Sequence, residues 1–313
     1  MAIHHLTRLA LKALSYPDLQ VKKLYPLERT MRAIPAPAHQ AAWRPWDRKV
    51  LDGEREILVR LYKPPRGQAR HTLLFFHGGG WVFESVDTYN SVCRDLARGT
   101  QCNVISVEYR LAPENRFPDG LNDCYAAARE LFLDPGGVYL PPRDVTLIGD
   151  SAGANLAAAV SLMARDRGEF RVPRQILIYP ATYWDHSQSS PFPSVHENGT
   201  DYLLTSKRIC DYMDLYRRSD EDLHNPYFAP LEARDFSRQP DTLIITAEYD
   251  PLRDEGEEYG RRLQAAGNRV QIHRMPDALH GFFSLGPRYV HVKRAHALIN
   301  QFLSGDDTPC GKA

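Results

Sequence analysis

Short apolar runs alternate with amphipathic stretches along most of the chain. Several runs, such as 72–76, are apolar at nearly every position, as in strands buried on both faces of a parallel sheet. The predicted strands are 56–62, 72–76, 103–109, 145–148, 175–179, 241–248 and 269–274. The predicted helices are 86–99, 120–133, a helix from the turn near 150 to about 167, one ending near 267, and 288–303. This alternation predicts an α/β fold with a mostly parallel central sheet flanked by helices.

Two segments interrupt the pattern. Residues 1–45 look helical and irregular, and residues 181–230 combine prolines, one helical stretch at 206–217 and many aromatic side chains. The second segment is too long for a simple loop, so we interpret both as a mainly helical lid over a core at 46–180 and 231–313. The aromatic residues could line a substrate pocket, but each one singly is better explained as part of the lid's own core. They are Tyr183, Trp184, Phe192, Tyr202, Tyr212, Tyr216, Tyr227 and Phe228.

The first residues form an amphipathic pattern, with Ile3, Leu6 and Leu9 on one helical face. Charges interrupt each apolar run, so the segment is typical neither of a signal peptide nor of a membrane span, and no stable membrane anchor is expected. Packing of this helix on the protein's own surface is favoured over the alternative, a helix lying in a membrane interface.

The composition of the chain argues against some kinds of binding partner and cofactor. The 313 residues have a formal net charge of zero and no long basic block, so nucleic acid is not an expected partner. The five cysteines are scattered and form no C-x-x-C pair, which suggests neither a disulfide framework nor a zinc site. We expect reduced thiols, a cytoplasmic location, and no metal or cofactor.

The stretch 145–159 carries the first chemical signal. A short apolar run leads into the turn G-D-S-A-G at 149–153, and an Ala-rich helical pattern follows. This order is that of a nucleophile elbow, in which a serine sits on a sharp, strained turn between a strand and a helix. Gly149 and Gly153 remove side chains that would collide with neighbouring backbone, and the N–H of Ala152 points to where an oxyanion forms. Ser151 is therefore the candidate nucleophile, and Asp150 beside it is interpreted as structural.

The motif HGGGW at 77–81 directly follows the buried run 72–76. Three successive glycines let the backbone approach a ligand closely, and loops of the HGGG type supply the second half of the oxyanion hole in lipases and esterases. We expect the N–H groups of Gly78 and Gly79 to be donors. His77 and Trp81 are expected to shape the loop.

A serine nucleophile needs a histidine base and an acid that orients it, here in the order serine, acid, histidine along the chain. His280 follows the last predicted strand and Asp250 the strand before it, so both reach the carboxyl edge of the sheet. Asp277 is a weaker candidate for the acid because it is close to His280 in sequence. Asp254 and Glu255 lie further along, where they suit the capping of the next helix.

Five motifs together resemble the hormone-sensitive-lipase family of α/β-hydrolases, the bacterial family IV esterases. They are HGGGW at 77–81, YRLAPE at 109–114, GDSAG at 149–153, DPLRDEG at 250–256 and HGF at 280–282, and the resemblance runs from about residue 55 onward. It implies the α/β-hydrolase fold, a triad of Ser151, Asp250 and His280, and oxyanion donors at Gly78, Gly79 and Ala152. Ala154 departs from the family pattern, which usually has a further glycine there.

The resemblance implies a serine carboxylesterase that hydrolyses short acyl esters, from acetyl to roughly hexanoyl. A sugar or xylan deacetylase using the same triad is the alternative, because a fold does not determine the substrate. A catalytically dead small-molecule receptor, as found among plant hormone receptors of this family, is disfavoured by the presence of His280. A serine peptidase with a β-propeller would need a longer chain.

The oligomeric state is linked to the last predicted strand. The family often forms dimers by pairing this strand, here 269–274, and its polar residues suit an exposed edge. A homodimer through this strand is therefore an expectation, and the partner of the active site is a small-molecule ester.

Overall fold

The computed structural model describes residues 21–32, 46–65, 69, 71–133 and 144–305. The predicted helix near residues 3–14 lies outside these residues. The strands are β1 (Trp46–Asp52), β2 (Arg55–Tyr62), β3 (Thr72–Phe76), β4 (Asn103–Val107), β5 (Val145–Asp150), β6 (Arg174–Ile178), β7 (Asp241–Tyr249) and β8 (Val270–Leu279). The helices are α1 (Val21–Arg32), α2 (Asn90–Thr100), α3 (Asp119–Leu133), α4 (Ala152–Arg167), α5 (Pro193–Asn198), α6 (Ser206–Tyr216), α7 (Arg253–Ala265) and α8 (Val290–Ser304).

The eight strands form one sheet in the order β1-β2-β4-β3-β5-β6-β7-β8. β2 pairs antiparallel with both β1 and β4. The other pairings, β4 with β3, β3 with β5, β5 with β6, β6 with β7 and β7 with β8, are parallel. The predicted α/β-hydrolase architecture is confirmed. The carboxyl ends of the parallel strands meet at one edge of the sheet, which is where ligands bind in open α/β sheets.

Both faces of the sheet are buried at its central strands β3, β4 and β5, as the apolar runs predict. Along β3, Leu74 and Phe76 belong to one core, and Leu73 and Phe75 to a second core on the opposite face. Helices α3 and α4 supply the first core, and α2 and α8 the second. Every residue of β3 is buried because the side chains of a strand alternate between its two faces.

The structure extends the sequence-based description at the two ends of the sheet. β1 was not predicted, because its residues are exposed apart from Val50 and give no apolar run. β8 continues beyond the predicted 269–274 to Leu279, with an irregular register opposite Ala247 and Tyr249. Within the described residues, no helix is long and apolar enough to cross a lipid bilayer.

Candidate active site

Ser151 lies on a sharp turn between β5 and α4. Its backbone has φ 55° and ψ −120°, a conformation that costs free energy for a non-glycine residue. A Cβ on Gly149 would lie 2.3 Å from the backbone of Gly153, and a Cβ on Gly153 would lie 2.0 Å from the carbonyl oxygen of Phe76. The predicted reason for both glycines is thereby confirmed, and the hydroxyl of Ser151 is held at the carboxyl edge of the sheet.

The three residues of the predicted triad come together from three loops. His280 Nε2 lies 2.9 Å from Ser151 Oγ, and His280 Nδ1 lies 2.7 Å from Asp250 Oδ2. The Asp250 side chain is fully buried, whereas His280 retains slight exposure to the pocket. With Nδ1–H donating to Asp250, Nε2 is free to accept the proton of Ser151, which is the geometry of a general base next to its nucleophile.

The acid is held by its own turn and by segment 181–230. The N–H of Leu252 donates to Asp250 Oδ1 at 2.9 Å, and Asn198 Nδ2, at the end of α5, donates to the carbonyl oxygen of Asp250 at 3.3 Å. His280 Nδ1 is thus paired with Asp250 and not with the competing acid Asp277, whose backbone has φ 59° and whose N–H donates to the Glu248 carboxylate. Sequence reasoning missed Asn198, because a lone asparagine in an irregular segment gives no signal.

The HGGGW loop differs from its expected arrangement at one residue. The N–H of Gly78 donates to Asp150 Oδ1 at 2.9 Å, so it is not available to an oxyanion, contrary to the expectation from the motif. Gly79 and Gly80 face the pocket together with Ala152. Among the hydrogen bonds of the described residues, the N–H groups of Gly79 and Gly80 have no protein acceptor, and Ala152 is the first residue of α4, whose N–H has no partner within the helix.

Asp150 binds donors from three elements directly behind Ser151. In addition to Gly78 N–H, the hydroxyl of Tyr89 donates to Oδ2 at 3.0 Å, and the hydroxyl of Tyr179 lies 3.4 Å from the same oxygen. Burial raises the pKa of Asp150 from 3.8 to about 6, although its hydrogen bonds and the nearby His280 act in the opposite direction. The carboxylate is therefore ionised at neutral pH, and it holds the HGGGW loop against β5.

His77 and Trp81 shape this loop, as expected. The His77 ring is fully buried and stacks on Tyr109 at 4.3 Å between centroids, and burial lowers its pKa to about 4. It is neutral at neutral pH, and its Nδ1 lies 2.8 Å from the carbonyl oxygen of Gly78. The Trp81 ring stacks on Tyr216 of α6 at 4.6 Å between centroids, which ties the loop to segment 181–230.

A pocket of about 200 Å³ opens above Ser151, and we call it the Ser151 pocket. Its walls include Arg32 from α1 and Ile209 and Tyr212 from α6, so both segments outside the predicted core contribute to it. Of the eight aromatic residues singled out in 181–230, Tyr212 lines this pocket. Tyr216 and Phe228 instead stack on each other in the core, as the interpretation for single residues predicted.

No group of three or more histidine, cysteine, aspartate or glutamate side chains is arranged to hold a metal ion in the part of the chain that the structure describes. The chemistry of the site is that of an activated serine. A serine hydroxyl next to an oriented imidazole, beneath two or more unpaired N–H groups, can attack a carbonyl carbon and stabilise the resulting oxyanion.

Comparisons with known proteins concern the fold and the activity. Residues 73–284 match the family model described as alpha/beta hydrolase fold. The chain is 36% identical over 237 residues to an arylesterase of Saccharolobus solfataricus, covering 75% of this chain and 76% of that one. It is 35% identical over 232 residues to an ethyl acetate hydrolase of Pseudomonas putida, covering 73% and 72%.

A solved structure extends the similarity over almost the whole chain. The hyperthermophilic esterase from the archaeon Pyrobaculum calidifontis superposes with a TM-score of 0.82 at 35% identity, covering 97% of this chain and 99% of that one. The chain therefore belongs to the α/β-hydrolase family, in the hormone-sensitive-lipase group of carboxylic ester hydrolases that its motifs resemble.

Proposed function

We propose that this carboxylic ester hydrolase cleaves esters of short acyl chains, from acetyl to roughly hexanoyl, through an acyl-enzyme on Ser151. The observation that carries the proposal is the continuous hydrogen-bonded chain from Asp250 through His280 to Ser151 at the base of a small pocket. A pocket of about 200 Å³ is smaller than the roughly 300–1,000 Å³ of sites that enclose drug-sized ligands, which favours a short acyl group.

In the first half of the reaction, His280 Nε2 accepts the proton of Ser151 as its oxygen attacks the ester carbonyl carbon. Asp250 keeps the imidazole in the required tautomer and stabilises the imidazolium that forms. The N–H groups of Gly79, Gly80 and Ala152 bind the oxyanion, and each such donor lowers the barrier by about 3 kcal/mol. His280 then gives its proton to the departing alcohol, and the acyl group stays on Ser151.

In the second half, water takes the place of the alcohol. His280 accepts a proton from the water as its oxygen attacks the acyl carbon, the same N–H groups hold the second oxyanion, and the proton returns to Ser151 as the carboxylic acid leaves. No redox step is involved. Segments 1–45 and 181–230 act as the lid in this proposal, supported by the positions of Arg32, Ile209 and Tyr212 in the pocket wall.

The test is hydrolysis of p-nitrophenyl esters from acetyl to palmitoyl, with Ser151→Ala as the control. We expect kcat/KM to be highest between acetyl and hexanoyl, and Ser151→Ala to lose about 10⁵-fold or more in kcat. A burst of p-nitrophenol equal to the enzyme concentration would report the acyl-enzyme.

Two other outcomes would redirect the assignment. Release of acetate from acetylated xylan at a higher kcat/KM than any p-nitrophenyl ester would favour the deacetylase. Folded protein that binds esters but hydrolyses none of them would contradict the proposal and favour the receptor.

A further inference from the structure

The Ser151 pocket has an apolar neighbour. A groove of about 400 Å³ lies between α1 and α6, and we call it the α1–α6 groove. Its α1 side consists largely of aliphatic side chains, from Val21, Leu24, Leu27 and Met31. Leu27 and Met31 are 59% and 63% exposed, so this face of α1 is open to solvent within the described structure.

Arg32 and Tyr212 line both cavities, and they therefore form the wall between them. The Tyr212 ring lies against the HGGGW loop: a Cβ on Gly80 would come within 2.7 Å of ring carbons. The same ring meets Phe83 edge-on, with 5.9 Å between centroids and 78° between planes. The absence of a side chain at Gly80 thus leaves room for the Tyr212 ring to pack against the HGGGW loop.

Arg32 completes the wall from the α1 side. Its guanidinium lies 4.8 Å over the ring of Phe83 and is ion-paired with Glu84. Phe83 is buried, so the cation rests on a fixed aromatic surface. The wall therefore has an aromatic part from α6 and a charged part from α1, both supported by Phe83.

The position of the wall relative to His280 indicates which part of the ester it would contact. The departing alcohol must receive its proton from His280, so it leaves on the side of His280, where Gly281 and Ser284 line the pocket. Tyr212 instead packs on Gly80 and Phe83, beside the groups that hold the carbonyl oxygen. An acyl chain that extends away from His280 is directed toward Tyr212.

We propose that Tyr212 sets the acyl-length limit of this enzyme by closing the Ser151 pocket against the α1–α6 groove. This inference rests on the proposed function, since it concerns the acyl chain of the same ester. A smaller side chain at position 212 joins the pocket to a groove with an aliphatic lining, which suits a longer alkyl chain. Each methylene buried there corresponds to about a fourfold gain in kcat/KM.

The experiment compares p-nitrophenyl butyrate with p-nitrophenyl decanoate for the wild type, Tyr212→Ala, Tyr212→Leu and Tyr212→Phe. We expect the ratio of decanoate to butyrate kcat/KM to rise by at least about tenfold in Tyr212→Ala, and by less in Tyr212→Leu, if a few methylenes enter the groove. Tyr212→Phe keeps the ring and should leave the ratio unchanged. The ratio is internal to each variant, so weakened support for Gly80, which slows both esters equally, does not affect it.

A second substitution tests whether the acyl chain of the substrate enters the α1–α6 groove. Leu24→Trp fills the groove from α1 without touching the Ser151 pocket, so it should leave the wild-type ratio unchanged and reverse the gain in the double variant with Tyr212→Ala. A parallel series of butyl to decyl acetates varies the alcohol and should show no change in length preference.

The outcomes separate this inference from the proposed function. A wild type that hydrolyses short esters, with Tyr212→Ala and Tyr212→Leu showing the same decanoate to butyrate ratio, would overturn the wall and leave the esterase intact. If the Tyr212 variants prefer longer chains only in the series of alkyl acetates, the assignment of Tyr212 to the acyl side of the pocket would be overturned. Loss of all hydrolysis in folded wild-type protein would contradict the proposed function itself.

Discussion

Asp150, which the sequence indicates to be structural, has a specific structural role beside the nucleophile. A buried carboxylate destabilises a fold when it is ionised, and burial raises the pKa of Asp150 to about 6. It nevertheless accepts hydrogen bonds from the N–H of Gly78 and the hydroxyl of Tyr89, which together with the nearby His280 act to lower its pKa. Its ionised form thus supports the loop that carries the proposed oxyanion donors.

Replacing Asp150 by asparagine should therefore slow the enzyme while stabilising it at neutral pH. Asparagine keeps an acceptor for the N–H of Gly78 but loses the charge, and charge-assisted hydrogen bonds exceed neutral ones by about 1 kcal/mol. We expect kcat to fall by about tenfold in Asp150→Asn, with little change in KM, measured with p-nitrophenyl butyrate at pH 7.5.

The stability of the same variant should depend on pH in a defined direction. Because the pKa of Asp150 is raised from 3.8 to about 6 in the folded protein, the wild type loses free energy of unfolding as pH rises through this interval. The variant has no such titration, so between pH 4 and 7 it should gain on the wild type by at most about 3 kcal/mol. Urea unfolding at several pH values measures the difference, and a difference that stays constant with pH would contradict this assignment.

The sequence could identify the candidate catalytic residues whose role follows from their order along the chain. Ser151 and His280 sit in motifs with a fixed place relative to predicted strands, and the structure brings them together. The N–H directions in the HGGGW loop could not be read in the same way. They depend on backbone torsions and on the Asp150 carboxylate, so a run of three glycines does not reveal that the N–H of Gly78 faces inward.

At the scale of elements, segment 181–230 is fixed to the core through helix α7. Glu255 was expected to cap this helix, but its carboxylate is fully buried and turned toward the beginning of the segment. It accepts the N–H groups of Thr182 and Tyr183, at 2.6 and 3.1 Å, and lies 2.6 Å from Nε2 of the buried His186. Because α7 begins three residues after Asp250, these bonds connect the loop that carries Asp250 to segment 181–230, which lines the Ser151 pocket.

Glu255→Ala should destabilise the protein by about 3–5 kcal/mol, because it leaves buried donors without an acceptor. Glu258→Ala is the matched control on the same helix. Its ion pairs with Arg261 and Arg262 are partly exposed, and their loss should cost less than about 1 kcal/mol. Chemical unfolding of both variants measures the difference, and equal effects would show that the buried bonds of Glu255 add nothing to stability.

The elements that could be predicted are those whose own residues show the apolar pattern of a buried strand or helix. β3 was predicted at its observed bounds because all five residues are buried, and α6 to within one residue. β1 is held mainly by its pairing with β2, so its own residues carry no signal. The position of α1 on α6 could not be predicted either, since it depends on contacts such as Lys22 with Asp211 between segments far apart in sequence.

At the scale of the whole molecule, the sheet has two different edges. β1 forms one edge and β8 the other, and β8 has a strand neighbour only on its β7 side within the described residues. The N–H of Thr242 donates to the carbonyl oxygen of Arg269, and backbone groups in a parallel strand alternate in direction. By this alternation, the backbone of Ile272 faces outward, toward the open edge.

We therefore expect two copies of the chain to pair through β8, since exposed backbone groups on a terminal strand are a template for another strand. Sedimentation velocity at tens of micromolar protein should give twice the mass of one chain. Ile272→Pro removes an outward N–H and should shift the equilibrium to monomer, whereas Ile272→Ala removes more apolar packing but keeps the N–H and should remain dimeric. Monomeric wild-type protein at these concentrations, or equal behaviour of the two variants, would show that β8 is not an interface.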